Sequence, residues 1–448
     1  MVAALGLLVG ACAQSHAISA DCGFGLGGSP ICDPGALRAA LASAHRGDVV
    51  RIGVCTVAGP LEVPAGVTLV GSGRTATTVT AGEGGAIVVH GGLDRSRVTC
   101  LGIDVANGAA AVRADGPGGV AIDSLDVHVE RGVGIDARDL GSLTVATTRL
   151  EGPVTRENAT SVSPTPTPMD SATVGISVVR VGEVTVSELE VTGFADFAAV
   201  ASESQSSWRA VDVHDTLGTA LAVVGGTATL EDVRVTDTLG GARLLPAYGL
   251  VVAMDATVRS TGLAIERSEG YGVLQDSATA EHDMLTVAGS AEAGVWVQSS
   301  PAIAFVGADV RDNGGAGIAL LAVESVRVID TTVSGTQMRR RVCELRVGDV
   351  GDGLQLRDVP VASLDHVASR DNARVGILLQ VPADGSALPT FSRVAVSGTG
   401  AQLGAVAVDR RGLVVSPPGW DTGIVREGAT TTNDPTAIGT TVGPPCAM

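Results

Sequence analysis

The chain is 448 residues long, only 2% aromatic, with 60 glycines and a net charge of -18. That acidity excludes a surface built to hold a phosphate backbone, so no nucleic-acid partner is expected. So few aromatics and so much glycine suit a narrow stack of short strands filled by Val, Ile, Leu and Ala, and the even texture from about residue 48 to 415 argues for one long domain.

In chain order, residues 1–12 read MVAALGLLVGAC, an apolar segment ending in Val9-Gly10-Ala11-Cys12. Those four residues resemble the lipobox of bacterial lipoproteins, in which a signal peptidase cuts before a cysteine that then carries lipid. The resemblance implies a signal peptide over 1–11, lipidation of Cys12 and an anchor on the cell envelope; an ordinary secretory leader is the alternative. No 18-residue apolar run follows, so no membrane-spanning helix is expected.

Seven cysteines less a lipidated Cys12 leave six, an even number suited to an oxidising compartment. Proximity in sequence suggests Cys22 with Cys32, Cys55 with Cys100, and Cys343 with Cys446. No C-x-x-C pair occurs, so neither a zinc site nor a redox motif is expected, and no metal or cofactor.

Residues 12–33, with Gly23, Gly25, Gly27 and Gly28, read as a flexible tether. Asp33-Pro34 then opens ALRAALASAHRGD, where Leu37, Ala40, Leu41 and Ala44 follow helical spacing behind an Asp N-cap and a Pro in the first turn, predicting a helix over 34–46 ended by Gly47. A helix here would cover strand edges that would otherwise template aggregation.

The helix is followed by GDVVRI and then GVTLVGSG. This order resembles the N-terminal cap and first coils of the pectate-lyase-like right-handed parallel β-helix superfamily, over residues 34–415. The resemblance implies an all-β solenoid of about 20–24 residues per coil with a short capping helix. It does not imply a reaction, because lyases, hydrolases, epimerases, adhesins and inert scaffolds share the fold.

The coil period is plainest between 248 and 340. There YGLVVAMD, YGVLQDS, AGVWVQSS and AGIALLAV place Gly249, Gly272, Gly294 and Gly317 at spacings of 23, 22 and 23 residues. Similar runs start at Ala86, Ala109, Val133, Val174, Phe197, Ala220, Asp352, Val375 and Gly404. Two spacings are long: Gly134 to Gly175 is 41 residues and Gly317 to Gly353 is 36. These breaks predict loop insertions at 153–173, which is Pro/Thr/Ser-rich, and at 335–350. A smaller excursion precedes Tyr248, a further loop spans 382–390, and a tail runs over 416–448. The insertions enter at one corner, and insertions on one face of a solenoid often mark its binding face.

Alternation on the first strand of each coil assigns sides. With Ile318 and Leu320 inward, the outward set comprises Asp136 and Arg138, Ser177 and Val179, Val251 and Ala253, Leu274, Trp296 and Gln298, Gln355 and Arg357, and Leu378 and Gln380. The C-terminal half is thus expected to offer a shallow groove, with the repeated glycines as its floor and Trp296, Gln355, Gln380 and Arg340 as ligand contacts. Asp352 and Arg357 are its candidates for catalysis.

The remaining chemistry is sparse. Asp312-Asn313 and Asp371-Asn372 read as turn residues, which tolerate positive φ. His128, His214, His282 and His366 read as turn or surface histidines. Asp365-His366 faintly echoes the Asp-His pair of pectin-cleaving enzymes, but their basic motifs are missing. The Gly-His-Gly pattern of polygalacturonase-like hydrolases and the Asp-Pro-His-Glu stretch of alginate epimerases are missing too. Proton abstraction beside a uronate carboxylate needs a base and a cation, and hydrolysis needs two carboxylates. The outward strip, read as mostly Ala, Val, Leu and Gln with Trp296 its one aromatic platform, supplies neither.

The expected function is therefore an envelope-bound or secreted monomer acting as a surface scaffold or glycan-binding module, with polysaccharide or envelope glycan as partner. A carbohydrate-active lyase, epimerase or hydrolase working on an acidic polysaccharide is the alternative.

Overall fold

The computed structural model describes residues 29–82, 84–106, 108–154, 173–240, 247–343, 346–381, 388–398, 403–409 and 414–427. The signal peptide, Cys12, Cys22 and Cys446 lie outside these residues, as do 155–172, 241–246 and 382–387.

Successive coils lay three short parallel strands each onto the coil before. The coil of Tyr271–Asp276, Thr279–Asp283 and Thr286–Ala288 is representative. It is followed in register by Ala293–Gln298, Ala302–Val306 and Asp309–Arg311, pairing Val273 with Val295, Ala280 with Ile303, and Val287 with Val310. The three strand positions thus form three long parallel sheets, here called first, second and third. The chain is a right-handed parallel β-helix.

Alternation gives each strand one inward set, and these side chains fill a single continuous core of Val, Ile, Leu and Ala. Burying each such Val, Ile or Leu contributes about 1.5–3 kcal/mol. Corners between strands repeatedly use non-glycine residues in the left-handed region, among them Asp255, Asp312, Asp330 and Asp371. Asp tolerates this conformation through its short polar side chain.

The Arg-Asp-Asn tripeptides are accordingly structural. Asp312 makes the turn, and Asn313 points inward, its Oδ1 accepting from Ser290 N at 2.8 Å and its Nδ2 donating to Val287 O at 3.2 Å. Asn372 does the same two coils on, accepting from Thr336 N at 3.2 Å and donating to Ser369 Oγ at 2.9 Å.

The repeated glycines also turn inward, so they are not the floor of an outer groove. At Gly249, Gly272 and Gly317 an added Cβ would lie 2.3–2.4 Å from a branched third-sheet side chain: Ile265, Val287 and Val333 respectively. No other residue fits where the first strand approaches the third this closely.

The helix spans Pro34–Ser43, three residues shorter than expected, with Asp33 Oδ1 accepting from Ala36 N at 2.7 Å and Leu37 and Leu41 buried on the first coil. The tether ends earlier than 33, because Ile31 pairs with Ile52 and Cys32 is disulfide-bonded to Cys55. That bond overturns the pairings Cys22–Cys32 and Cys55–Cys100. Cys100 is disulfide-bonded as well. Sequence proximity failed because the coil brings residues one period, 23 positions, apart into contact. At the other end the stack continues past 415, since Ile424–Glu427 pairs with Val394–Ser397.

The insertion at 335–350 is an antiparallel hairpin rather than a loop. Arg339–Cys343 pairs with the start of Arg346–Arg357, a strand that runs on into the first sheet. Arg340 and Cys343 lie on its first strand.

Candidate functional site on the outer face of the first sheet

Two outward columns run the length of the first sheet. One carries Val88, Arg113, Asp136, Ser177, Val200, Ala222, Val251, Leu274, Trp296, Ala319, Gln355, Leu378 and Val406 in register. Its neighbour carries His90, Asp115, Arg138, Val179, Ser202, Val224, Ala253, Asp276, Gln298, Leu321, Arg357, Gln380 and Val408. A third column, beside the glycines, includes Phe197, Tyr248, Tyr271 and Asp352.

The C-terminal half of this face is not the open groove the alternation suggested. Trp296, Gln355 and Gln380 point outward yet are 3%, 3% and 6% exposed. Trp296 sits in an apolar layer with Tyr248, Tyr271, Leu274, Ala319 and Leu321, Gln355 follows Ala319 in register, and Gln380 lies between Arg357 and Val408. Tyr248 stacks on Tyr271 at 5.8 Å, and Tyr271 meets Trp296 edge-on at 6.0 Å. Burial pushes the Tyr248 phenol up to about 12. Trp296 is therefore not the single aromatic of the strip.

Asp352 is fully buried and belongs to a polar nest within this layer. Arg374 Nε donates to its Oδ1 at 2.6 Å, Arg374 Nη2 to its Oδ2, and Gln355 Nε2 to its Oδ2 at 2.7 Å. A carboxylate held this way by two side chains is a buried ion pair, and Asp352 does not face solvent as a groove acid would. Arg357 is partly exposed, with Nε 3.9 Å from Asp358 Oδ2.

The charges lie at the other end of the same face. His90 Nδ1 is 2.8 Å from Asp115 Oδ1 on the next coil. Arg113 Nε lies 3.5 Å from Asp115 Oδ2 on its own strand, and Arg138 Nε donates to Asp136 Oδ1 at 2.8 Å on the coil after. Register pairs Asp136 with Arg113 and Arg138 with Asp115, so charges alternate both along and across the strands. His90, Arg113 and Arg138 side chains are 48%, 61% and 57% exposed. Asp115 and Asp136 are diagonal neighbours on adjacent strands, a relation that separates Cα atoms by about 7–8 Å.

Three coils thus bring together a histidine, two carboxylates and two guanidinium groups on an exposed face. Asp136 and Arg138 are in the outward set read from sequence. His90, Arg113 and Asp115 lie outside that set, although the runs AIVVHGG and AAAVRADG that hold them carry the same alternation.

The histidines singled out in the sequence lie elsewhere. His366 is an exposed turn residue, 3.2 Å from Asp330 Oδ1, beside an Asp365 whose carboxyl Arg393 holds below its ordinary range. His214 is half-buried on the third sheet between Glu190 at 3.6 Å and Asp215 at 3.1 Å. His282 is neither turn nor surface: it is buried inside the solenoid, 2.7 Å from Ser260 Oγ and stacked on Phe305 at 5.7 Å. Burial lowers it to about 4. Among the described residues, no group of three or more His, Cys, Asp or Glu is disposed to hold a metal ion.

With its coils, capping helix and outer columns defined, the chain belongs structurally to the parallel β-helix class. Solved structures similar to it include the following three. The mannuronan C-5 epimerase AlgE6 A-module of Azotobacter vinelandii is 14% identical over 91% of this chain and 97% of its own, with a TM-score of 0.40. The catalytic unit of a GH87 α-1,3-glucanase from Streptomyces thermodiastaticus is 14% identical over 90% and 67%, with a TM-score of 0.44. Tailspike protein 3 of bacteriophage CBA120 is 12% identical over 89% and 58%, with a TM-score of 0.41. No family model matches the chain, and no curated protein matches it in sequence.

Proposed function

We propose that the chain engages a polysaccharide along the outer face of its first sheet and acts on it by acid–base chemistry at the N-terminal third. The observation that carries this reading is the exposed His90–Asp115 pair at 2.8 Å, flanked by Arg113, Asp136 and Arg138. It shifts the balance away from a pure scaffold, because the apparent poverty of acids and bases held only for the C-terminal half.

In this reading Asp115 orients the imidazole through Nδ1, leaving Nε2 to take or give a proton. Arg113 and Arg138 supply the positive charge that a developing enolate or oxyanion needs. Asp136, one coil on and engaged by Arg138, gives a second carboxylate beside the pair. Action outside the cytoplasm accords with the disulfides at Cys32–Cys55 and at Cys100. A lipid anchor at Cys12 and a monomeric state remain part of the proposal.

The test is a panel of uronate polymers and neutral glucans, followed by unsaturated-product absorbance and by reducing-end release. His90→Ala should abolish turnover while leaving polymer binding in place. Turnover that survives His90→Ala sinks the assignment, and binding without turnover of any polymer returns the chain to a binding module.

A further inference from the structure

Cys100 is disulfide-bonded, and the geometry of the coils limits its partner. It is 6% exposed with φ 59°, at the corner where its coil turns from the second sheet to the third, and its carbonyl accepts from Gly73 N at 3.0 Å on the coil below. Cys55 occupies the same corner two register steps down, through Thr56, Thr78 and Gly102. Two steps are about 10 Å, beyond the roughly 4.4–6.8 Å between Cα atoms that a disulfide spans. Cys55 is in any case bonded to Cys32.

We infer that Cys100 is bonded to Cys22, and that together with Cys32–Cys55 this bond forms a redox-dependent clamp that ties residues 23–31 across the corner of the first coils. The clamp is independent of the polysaccharide reading above.

Reach decides among the remaining cysteines. Cys343 lies on a hairpin rooted in the first sheet ten register steps along the stack, about 48 Å, and the five residues from Arg346 to Gly351 bridge only about 17 Å of that. Cys446 stands nineteen residues beyond Glu427, whose strand is twelve steps, about 58 Å, from that of Cys100. At about 3.3–3.6 Å per residue, that length of chain spans the gap only when fully extended.

Cys22 is far better placed. It is ten residues from Cys32, and Cys32 lies three steps, about 14 Å, below Cys100, through Ile31 on Ile52, Ile52 on Val70, and Gly71 on Thr99. Ten residues cover this distance with slack. Cys12 would close a loop ten residues longer, at greater cost in chain entropy, and it is the cysteine that the lipobox resemblance assigns to lipid.

The clamp acts where packing is thinnest. The helix over this end buries only Leu37 and Leu41 on the first coil, whereas coils further along are covered on both sides. Joining Cys22 to Cys100 restricts the unfolded chain and holds the first coils to the helix that caps them. In forming the bond the two thiols give two protons and two electrons to an oxidising disulfide, which is reduced to two thiols. The N-terminal end therefore reaches full stability only in an oxidising compartment.

The experiment uses the full oxidised chain, with free thiols blocked by N-ethylmaleimide and digestion by pepsin, which can cut at Phe24 and Leu26 between Cys22 and Cys32. Mass spectrometry without reduction should find a peptide containing Cys22 joined to one containing Cys100, and reduction should separate them. Hydrogen exchange then reads the clamp. Cys22→Ser and Cys100→Ser should each speed exchange over 49–105 about tenfold, the two together no further, while 248–334 changes less than about twofold.

Cys100 joined to Cys12 or to Cys446, or carrying the blocking group, overturns the pairing, and this result needs no variant to fold. The expected pairing with exchange over 49–105 unchanged in both variants overturns the clamp.

Discussion

Replacing Gly272 by alanine tests the packing that fixes the whole coil. An added Cβ would lie 2.3 Å from Val287 Cγ1, 2.5 Å from Gly294 O and 2.8 Å from Ser290 Oγ. Ordinary carbon contacts are about 3.5–4.0 Å, so Val287 would have to retreat by more than about 1 Å. It has little room, being fully buried and stiff at its branched Cβ. The Gly294 carbonyl belongs to the next coil and moves only with it. The substitution should therefore cost about 3 kcal/mol, the upper end of the overpacking range. Urea unfolding with the slope unchanged reads the loss, and hydrogen exchange should localise it to the coils on either side. Gly84→Ala is the comparator, since its Cβ would meet only Pro60 Cγ at 3.7 Å, and a change within about 0.5 kcal/mol is expected there. Combining Gly272→Ala with Val287→Ala should cost less than the two changes summed. If Gly272→Ala proves as mild as Gly84→Ala, the glycine does not face inward and the account of the corner is wrong.

Two further outcomes follow from buried groups. His282 is held neutral inside the solenoid at about 4, below its ordinary 6.5, so the unfolded chain binds its proton more readily. Its contribution is present above pH 6.5 and is lost as pH falls from there to about 4, amounting to about 3 kcal/mol in all. His282→Leu should remove that part of the pH dependence, and a flat difference curve between wild type and variant over this window would rule it out. For the nest at Asp352, Asp352→Ala strands the Arg374 charge in a buried layer and should cost about 3–5 kcal/mol, whereas Asp352→Leu with Arg374→Met should recover most of it. A single substitution that thermal unfolding finds nearly neutral would mean water reaches Arg374.

The fold was legible because its signals are local and repeat. Gly249, Gly272, Gly294 and Gly317 mark the period directly, and the Asp33-Pro34 cap marks the helix. What the glycines face was not legible, since period alone does not say which side of a corner is crowded. Only the third-sheet partners Ile265, Val287 and Val333 explain why no Cβ fits. Disulfide pairing was illegible for a related reason: Cys32 meets Cys55 because the coil returns after 23 residues, while proximity in sequence favours shorter or unrelated spans.

The candidate site shows how far alternation can be trusted. It sorted inward from outward correctly at Trp296, Gln355 and Gln380, but outward is not the same as exposed, and those three are buried, Trp296 within a second apolar layer. Alternation also cannot show that Arg374, which lies outside the regular strand positions, reaches back to Asp352. At the N-terminal end the same rule, carried two coils further back, places His90, Arg113 and Asp115 beside Asp136 and Arg138 without any structure. What it could not give is the state of each charge. That Arg138 donates to Asp136 through Nε, Arg113 stands 3.5 Å from Asp115, and Arg180 grips Asp139 at Nε and Nη2 follows only from side-chain geometry.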